Sequence, residues 1–307
     1  MTSGGASDRT RRGGSEAAGA TNERLRIEVG RFASAGSLQG PAHRVNEDTW
    51  RLAEPATTHG PHTAGRLYIV ADGVGGRSRG EVASALAAET LVEQYFATDA
   101  DDPADRLVAA VREANRRVTE AAGAEPGDAT MATTLVAALV ADGEITVAHA
   151  GDSRCYLVVD HVLTQLTHDH SWVQEQIDRG QLTPAEARRS TRRNIITRAL
   201  GLGDGIEPDV KTAIPAPVVG RIVLCSDGVH GVVEDDELLE LISRVDARAG
   251  VERVLAKVDE RAGRDDATIV IVELTEVSRS AVSDRQPRIG LLARLRGRLR
   301  RSVPGNP

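Results

Sequence analysis

Aromatic side chains are scarce: two Trp, three Tyr and two Phe among 307 residues. The core must therefore be built from Ala, Val, Leu and Ile. Cysteine is nearly absent. Cys155 and Cys225 are the only two, each inside an apolar, strand-like run. That excludes a disulfide framework, fits a reducing compartment and reads as two small core residues. Lysine occurs only at Lys211 and Lys257, every other basic residue being arginine. No Gly-Lys pair exists, which removes the Walker phosphate loop. No apolar run approaches the roughly 20 residues needed to span a bilayer. The opening MTSGGASDRTRRGGSEAAGA lacks the apolar middle of a signal peptide, and its Gly, Ser and Ala content predicts disorder over 1–23. These absences point to a cytoplasmic protein.

What is present is a globular composition, 40% apolar, long enough for one large domain or two ordinary ones. Net charge is −7 but uneven. Residues 279–307 hold eight arginines and one aspartate, a local charge of +7, so the rest carries −14. A domain that acidic is a poor nucleic-acid binder. In the tail, RIGLLARLRGRLRRSV sets Leu291, Leu292, Leu295 and Leu299 on one helical face, with Arg294, Arg296, Arg298, Arg300 and Arg301 over much of the remainder. Residues 288–301 thus predict a basic amphipathic helix suited to an acidic partner or to peripheral contact with the inner membrane face.

Pattern reading gives strands over LRIEVGRFA (25–33), NEDTWRLAE (46–54) and GRLYIVAD (65–72), then two amphipathic helices over 80–96 and 103–122. A strand-rich stretch follows to about residue 167, with a hairpin turn at Asp142-Gly143. Residues 171–200 look helical and polar, with a new start at Thr183-Pro184. After them come a strand over GRIVLCSDGV, helices over EDDELLELISRV and GVERVLAKVDERA, and a final strand, DATIVIVEL. This order lacks the strict strand–helix alternation of a doubly wound sheet. It predicts an α+β fold: a four-layer α-β-β-α sandwich of two mainly antiparallel sheets flanked by helix pairs. The expected domain runs from 24 to 277, between the N-terminal segment 1–23 and the basic tail 278–307.

Acidic residues recur where apolar runs end. Glu47 and Asp48 lie in HRVNEDTW, Asp72 in VADGVGG, Asp152 in HAGDSR, Asp227 in LCSDGV, and Asp265 and Asp266 in GRDDAT. A buried aspartate without a partner is costly. Several converging at one sheet edge would raise each other's pKa unless a cation intervenes. Mg²⁺ and Mn²⁺ suit such oxygen-rich sites. The glycines after Asp72 offer a rival reading, a nucleotide-binding loop, but the dinucleotide fingerprint fails: Ser78 stands where its third glycine belongs.

Taken together, NED, ADGVGG…GEVAS, TTLVAALV, HAGDSRCYL, LTHDHSWVQE, RRNIITRALG, LCSDGV and GRDDATIVIV resemble, in order, the motifs of the metal-dependent type 2C serine/threonine protein phosphatases of bacterial type. The resemblance runs from about Leu25 to Leu274. It implies a β-sandwich with a pair of Mn²⁺ or Mg²⁺ ions in a cleft at one end, and hydrolysis of phosphoserine and phosphothreonine in protein partners. Asp72 would bridge both ions, the Gly73 carbonyl would ligate one, and Asp227 and Asp265 the other. Glu47 would hold metal-bound water, with Asp48 and Asp266 supporting these groups from behind. Such ions would lower the pKa of a shared water and stabilise charge on the phosphoryl oxygens.

The departures matter as much. The family's phosphate-gripping arginine falls at His43, with Arg44 one step later. On a strand that step points to the opposite face, so position favours His43 unless a bulge brings Arg44 round. Asp266 stands where the family usually has asparagine. The family's GMGTT is TMATT here, Thr130 to Thr134, beside a candidate third ion for which Asp128 is the available ligand. Residues 167–205 resemble a mobile flap. There Arg188, Arg189, Arg192 and Arg193 offer contacts to an acidic or phosphorylated peptide, Arg192 and Arg193 being the substrate-facing candidates. His168, Asp169 and His170 read as a structural turn more readily than as a metal site. The expected activity is phosphoprotein hydrolysis opposing serine/threonine kinases. The alternative is a pseudophosphatase, a phosphoprotein-binding module without turnover. A third reading narrows the substrate to one regulatory protein, although no sensor domain is visible.

Overall fold

The two strand-rich parts of the chain interleave into two sheets, and every strand pair among the described residues is antiparallel. The computed structural model describes residues 24–54, 65–74, 79–98, 102–123, 131–203 and 206–275. The segment 1–23, Gly75 and Gly76, Asp128 and the tail 278–307 lie outside them.

The first sheet has the order β1 (Leu25–Val29), β2 (Ala33–Leu38), β12 (Ala267–Leu274), β11 (Gly220–Cys225), β8 (Arg154–Val159), β9 (Val162–Gln165). The second has the order β10 (Asp209–Pro215), β7 (Glu144–Ala150), β6 (Leu135–Ala141), β4 (Arg66–Val74), β3 (Asp48–Ala53), with the short β5 (Ala132–Thr133) beside the end of β4. Their facing sides share one core of Tyr68, Val70, Val136, Val147, Ile222, Leu224 and Val270. Helices α1 (Gly80–Ala97) and α2 (Pro103–Gly123) cover the outer face of the second sheet, where Leu91, Leu107 and Val111 meet Leu67, Ile69 and Leu135. Helices α6 (Asp235–Ile242) and α7 (Ala247–Glu260) cover the outer face of the first, where Leu238, Val251, Val254 and Leu255 meet Val223, Ile269 and Ile271. The α-β-β-α order is therefore the one expected. The central strands β4, β6, β7, β11 and β12 are apolar and buried along most of their length because each sheet is covered on both faces there.

Three local readings need correction. Residues 25–33 are not one strand: the chain turns at Gly30 and returns as β2, all six residues of which are buried. Strand β2 reads ASAGSL, too small and too polar to show a strand period. The small side chains are needed because α7 lies on it; a Cβ at Gly36 would sit 2.6 Å from Val251 Cγ1. Residues 171–200 hold only two short helices, α3 (Trp172–Asp178) and α4 (Pro184–Arg189). Thr183 caps α4 through a reciprocal capping box with Glu186. Beyond Ser190 the backbone bonds elsewhere, Ile195 O accepting from Trp172 N and Leu200 exchanging both bonds with Thr133. Finally, residues 39–47 are turns and bends, not strand, so alternation does not decide between His43 and Arg44.

Candidate active site

Strands β3 and β4 pair with Asp48 opposite Asp72. In the other sheet β11 ends at Cys225, and Ser226 and Asp227 follow at the head of the short helix α5 (Asp227–His230). Strand β12 begins just after Asp265 and Asp266. Antiparallel neighbours end and begin at the same edge, so the two sheets deliver these carboxylates together. The link between sheets is explicit: Ser226 Oγ donates to Asp48 Oδ2 at 2.8 Å, while the Ser226 backbone pairs with Thr268.

The backbone around Asp72 is clamped. Thr134 N donates to Asp72 O at 2.8 Å, and Asp72 N donates to Thr134 Oγ1 at 3.1 Å. Thr133 Oγ1 also donates to Asp72 O. Thr133 and Thr134 thus grip the strand that carries Asp72, a role the sequence did not announce. At the next residue a Cβ on Gly73 would lie 2.3 Å from the Gly80 carbonyl oxygen. Only glycine lets the end of β4 meet the start of α1 there. The same contact fixes Glu47, whose carbonyl oxygen accepts from Gly73 N and Ser84 Oγ and whose carboxylate lies against Gly80. Gly228 plays the matching part in the first sheet, since its Cβ would meet Asp266 O at 2.0 Å.

Electrostatics follow from this crowding. Burial, then the fields of Asp48, Asp227, Asp152 and Asp265, push the Asp72 pKa far above the usual carboxylate range. Burial and neighbouring acids raise Asp48 to about 8. Asp227 rises to about 6 through burial and Asp265, with a side-chain hydrogen bond to Asp72, and then the charge of Arg193, pulling the other way. Glu47 also rises, mainly by burial. Asp152 belongs to the group: burial and Asp227 raise it strongly. The sequence had flagged it without giving it a role. Asp48 Oδ1 and Asp152 Oδ1 are buried without a hydrogen-bond partner. Oxygen-only donors, mutual repulsion and orphaned oxygens together are the signature of a place where a hard divalent cation fits.

His43 lies at the rim, within 2.8 Å of Asp266 Oδ2 and 3.7 Å of Asp265. Asp266 is held hard, its oxygens also accepting from Gly40 N and Glu47 N at 2.7 Å each. Burial lowers the His43 pKa, but the bond to Asp266 and the surrounding carboxylates outweigh it, so the net shift is upward. Arg44 is exposed and makes no such contact. In the flap, Arg192 stacks over Trp172 at 5.0 Å, and Arg193 is exposed. The His168–Asp169–His170 triplet does not converge: His168 pairs with Asp178, Asp169 binds Arg154, and His170 turns toward Asp209.

A profile described as Protein phosphatase 2C matches residues 44–261. This chain belongs to the protein phosphatase 2C family. The serine/threonine phosphatase stp of Listeria monocytogenes is 35% identical over 222 residues, covering 70% of this chain and 88% of that protein. PstP of Mycobacterium tuberculosis is 36% identical over 215 residues, again 70% of this chain but 41% of that longer protein. The crystal structure of the PstP catalytic domain with two manganese ions superposes with a TM-score of 0.68 at 33% identity, covering 82% of this chain and 98% of that one. The Mycobacterium smegmatis PPM phosphatase in complex with cacodylate gives 0.68 at 34%, over 79% and 97%. The family assignment makes this chain a serine/threonine phosphatase of the 2C type. No described helix is long and apolar enough to cross a membrane.

Proposed function

We propose that the carboxylate cluster holds two divalent cations, Mn²⁺ or Mg²⁺, and that the chain uses them to hydrolyse phosphoserine and phosphothreonine in proteins, opposing serine/threonine kinases. The observation that carries this reading is the crowd of carboxylates with raised pKa values: Asp48 and Asp152, buried with orphaned oxygens, beside the half-buried Asp72 and Asp227. In it Asp72, the Gly73 carbonyl, Asp227 and Asp265 bind the ions. Glu47 positions water beside them, and Asp48 and Asp266 hold the surrounding backbone and side chains in place. When bound, such a pair brings the pKa of a water toward neutrality and offsets charge on the phosphoryl oxygens. His43, anchored through Nδ1 by Asp266, is the side chain for the substrate phosphate; the exposed Arg44 is the weaker candidate.

The test is turnover of para-nitrophenyl phosphate and a phosphothreonine peptide, with and without Mn²⁺, for the wild type and Asp72→Asn. Metal-dependent turnover that falls at least about 1000-fold in the variant is expected. Calorimetric Mn²⁺ binding without turnover in the wild type would favour a pseudophosphatase. Neither binding nor turnover would sink the metal pair.

A further inference from the structure

Strands β6 and β7 pair as far as Leu135 opposite Ala150, and the residues just past that pair, Thr134 and Gly151, close against each other. Gly151 has a φ of +117°, and a Cβ there would lie 2.5 Å from Thr134 Cβ. Glycine is therefore required twice, by the backbone angle and by the approach. Thr134 touches both carboxylate-bearing segments. Its Oγ1 accepts from Asp72 N at 3.1 Å and lies 2.8 Å from Ser153 Oγ, while its backbone N donates to Asp72 O. The turn Gly151–Asp152–Ser153 thus reaches the strand end that carries Asp72 through one threonine.

His170 holds the same turn from the other side. Its backbone N donates to Gly151 O at 3.0 Å, and its Nδ1 accepts from Gly151 N at 3.1 Å. The ring is buried and stacks on His149 at 4.6 Å, and the His170 carbonyl accepts from Thr197 N at 2.8 Å. His230 Nε2 lies 3.0 Å from Asp152 O. Both backbone polar groups of Gly151 are therefore answered by one residue. Moving that residue would leave a buried N–H unpaired, which is costly. We propose that His170 is a positioning residue for the carboxylate site: through Gly151 and Thr134 it holds Asp152 and Asp72 in fixed register and so sets the affinity for divalent cations. This rests on the metal-pair reading above and extends it to a residue that touches neither cation nor substrate.

The experiment is calorimetric titration of the chelated full chain with Mn²⁺, followed by kcat on a phosphothreonine peptide at limiting and at saturating Mn²⁺. The variants are His170→Leu, His170→Asn, Thr134→Val and Arg198→Met. Groups that orient metal ligands from behind govern affinity by roughly 10- to 100-fold, so His170→Leu should weaken Mn²⁺ binding about 10-fold. Its kcat, reduced at limiting Mn²⁺, should recover at saturation. Asparagine sets an amide oxygen where Nδ1 stands, so His170→Asn should restore most of the lost affinity. Arg198→Met, on the Nε2 side of the ring, should leave the affinity as it is. Thr134→Val removes the acceptor for Asp72 N and should match His170→Leu. Combining the two should add little, because they interrupt one path. An unchanged affinity in His170→Leu, an equal loss in His170→Leu and His170→Asn, or full additivity in the double variant overturns the proposal. If His170→Leu does not fold, His170→Gln takes its place. The Gln amide reaches past Gly151 toward Asp209, so only His170→Asn should keep the affinity. Failure of the metal-pair reading itself looks different, since the wild type would then bind no Mn²⁺.

Discussion

Two clusters among the described residues, both of metal-binding type, solve the same electrostatic problem in opposite ways. One is the carboxylate group around Asp72. The other is His149, His170 and Asp209, whose ligand atoms lie within 4.8 Å of one another. In the second cluster every group already has a partner. Gly151 N donates to His170 Nδ1, which leaves the ring proton on Nε2 to face Asp209. His149 Nε2 pairs with His168 O, and the guanidinium of Arg198 sits on Asp209. The two rings stack at 4.6 Å, only 13° from parallel, so their in-plane lone pairs run side by side instead of converging. Burial lowers His149, and burial with the neighbouring His149 charge lowers His170 to about 4, so both are neutral near pH 7. The fold has supplied its own cation there. Around Asp72 it has not, and the carboxylates bear the cost as raised pKa values. The lesson is that residue type marks candidates, while unanswered charge marks the site.

Three measurements sharpen that contrast. The largest effect belongs to pH and metal removal. A carboxylate whose folded pKa is raised stabilises fully only below its ordinary pKa near 4, and that stability is lost as pH rises through the folded value. Asp227 at about 6 and Asp48 at about 8 set the window. Scanning calorimetry should show the chelated protein losing on the order of 5 °C in Tm, relative to the Mn²⁺-loaded protein, between about pH 5 and pH 8. A gap that does not widen with pH would break the comparison. Next, Asp48→Asn keeps an acceptor for Ser226 but removes one buried charge. It should raise the chelated Tm at pH 8 by about 3 °C while weakening Mn²⁺ affinity by calorimetric titration. A lowered chelated Tm would show that Asp48 stabilises the fold by itself. Smallest is Arg198→Met. The Arg198–Asp209 pair is about half exposed, so solvent screening limits it to less than about 1 kcal/mol. A Tm drop of roughly 2 °C with an unchanged Mn²⁺-dependent shift is expected; a change in that shift would tie the two clusters together.

Much of the site was legible because it lies at strand ends. Asp72, Asp227 and the Asp265–Asp266 pair each stop or start an apolar run, and antiparallel pairing brings such ends to one edge. Helices α2, α6 and α7 were readable from apolar periodicity and α1 as an uninterrupted, Ala-rich helical run, and they cover the faces of the sheets. Strand β2 was hidden because helix approach selects small residues over β-branched ones. Strand β10 was hidden because it is a mostly exposed edge, polar and interrupted by an irregularity in register near Ala213. The flap looked helical because its composition is helical, but its later backbone makes isolated turns and bonds to Thr133, His170 and Trp172 instead of a helical ladder. Thr133 and Thr134 gave no sign that they would clamp Asp72, since that contact spans about sixty residues of chain.

The amino-acid sequence by itself determined the class of this protein: an acidic α+β sandwich whose strand-end carboxylates, in their order, mark a 2C-type phosphatase. Those features are local, written in runs, spacings and turn residues. Tertiary structure alone decided which charges are answered. It set Asp266 against His43, Arg198 against Asp209 and Arg188 against Glu234, and it left Asp48, Asp72, Asp152 and Asp227 in no ion pair among the described residues. Coulomb energy and desolvation depend on distance and burial, and neither exists until the sheets have closed on one another.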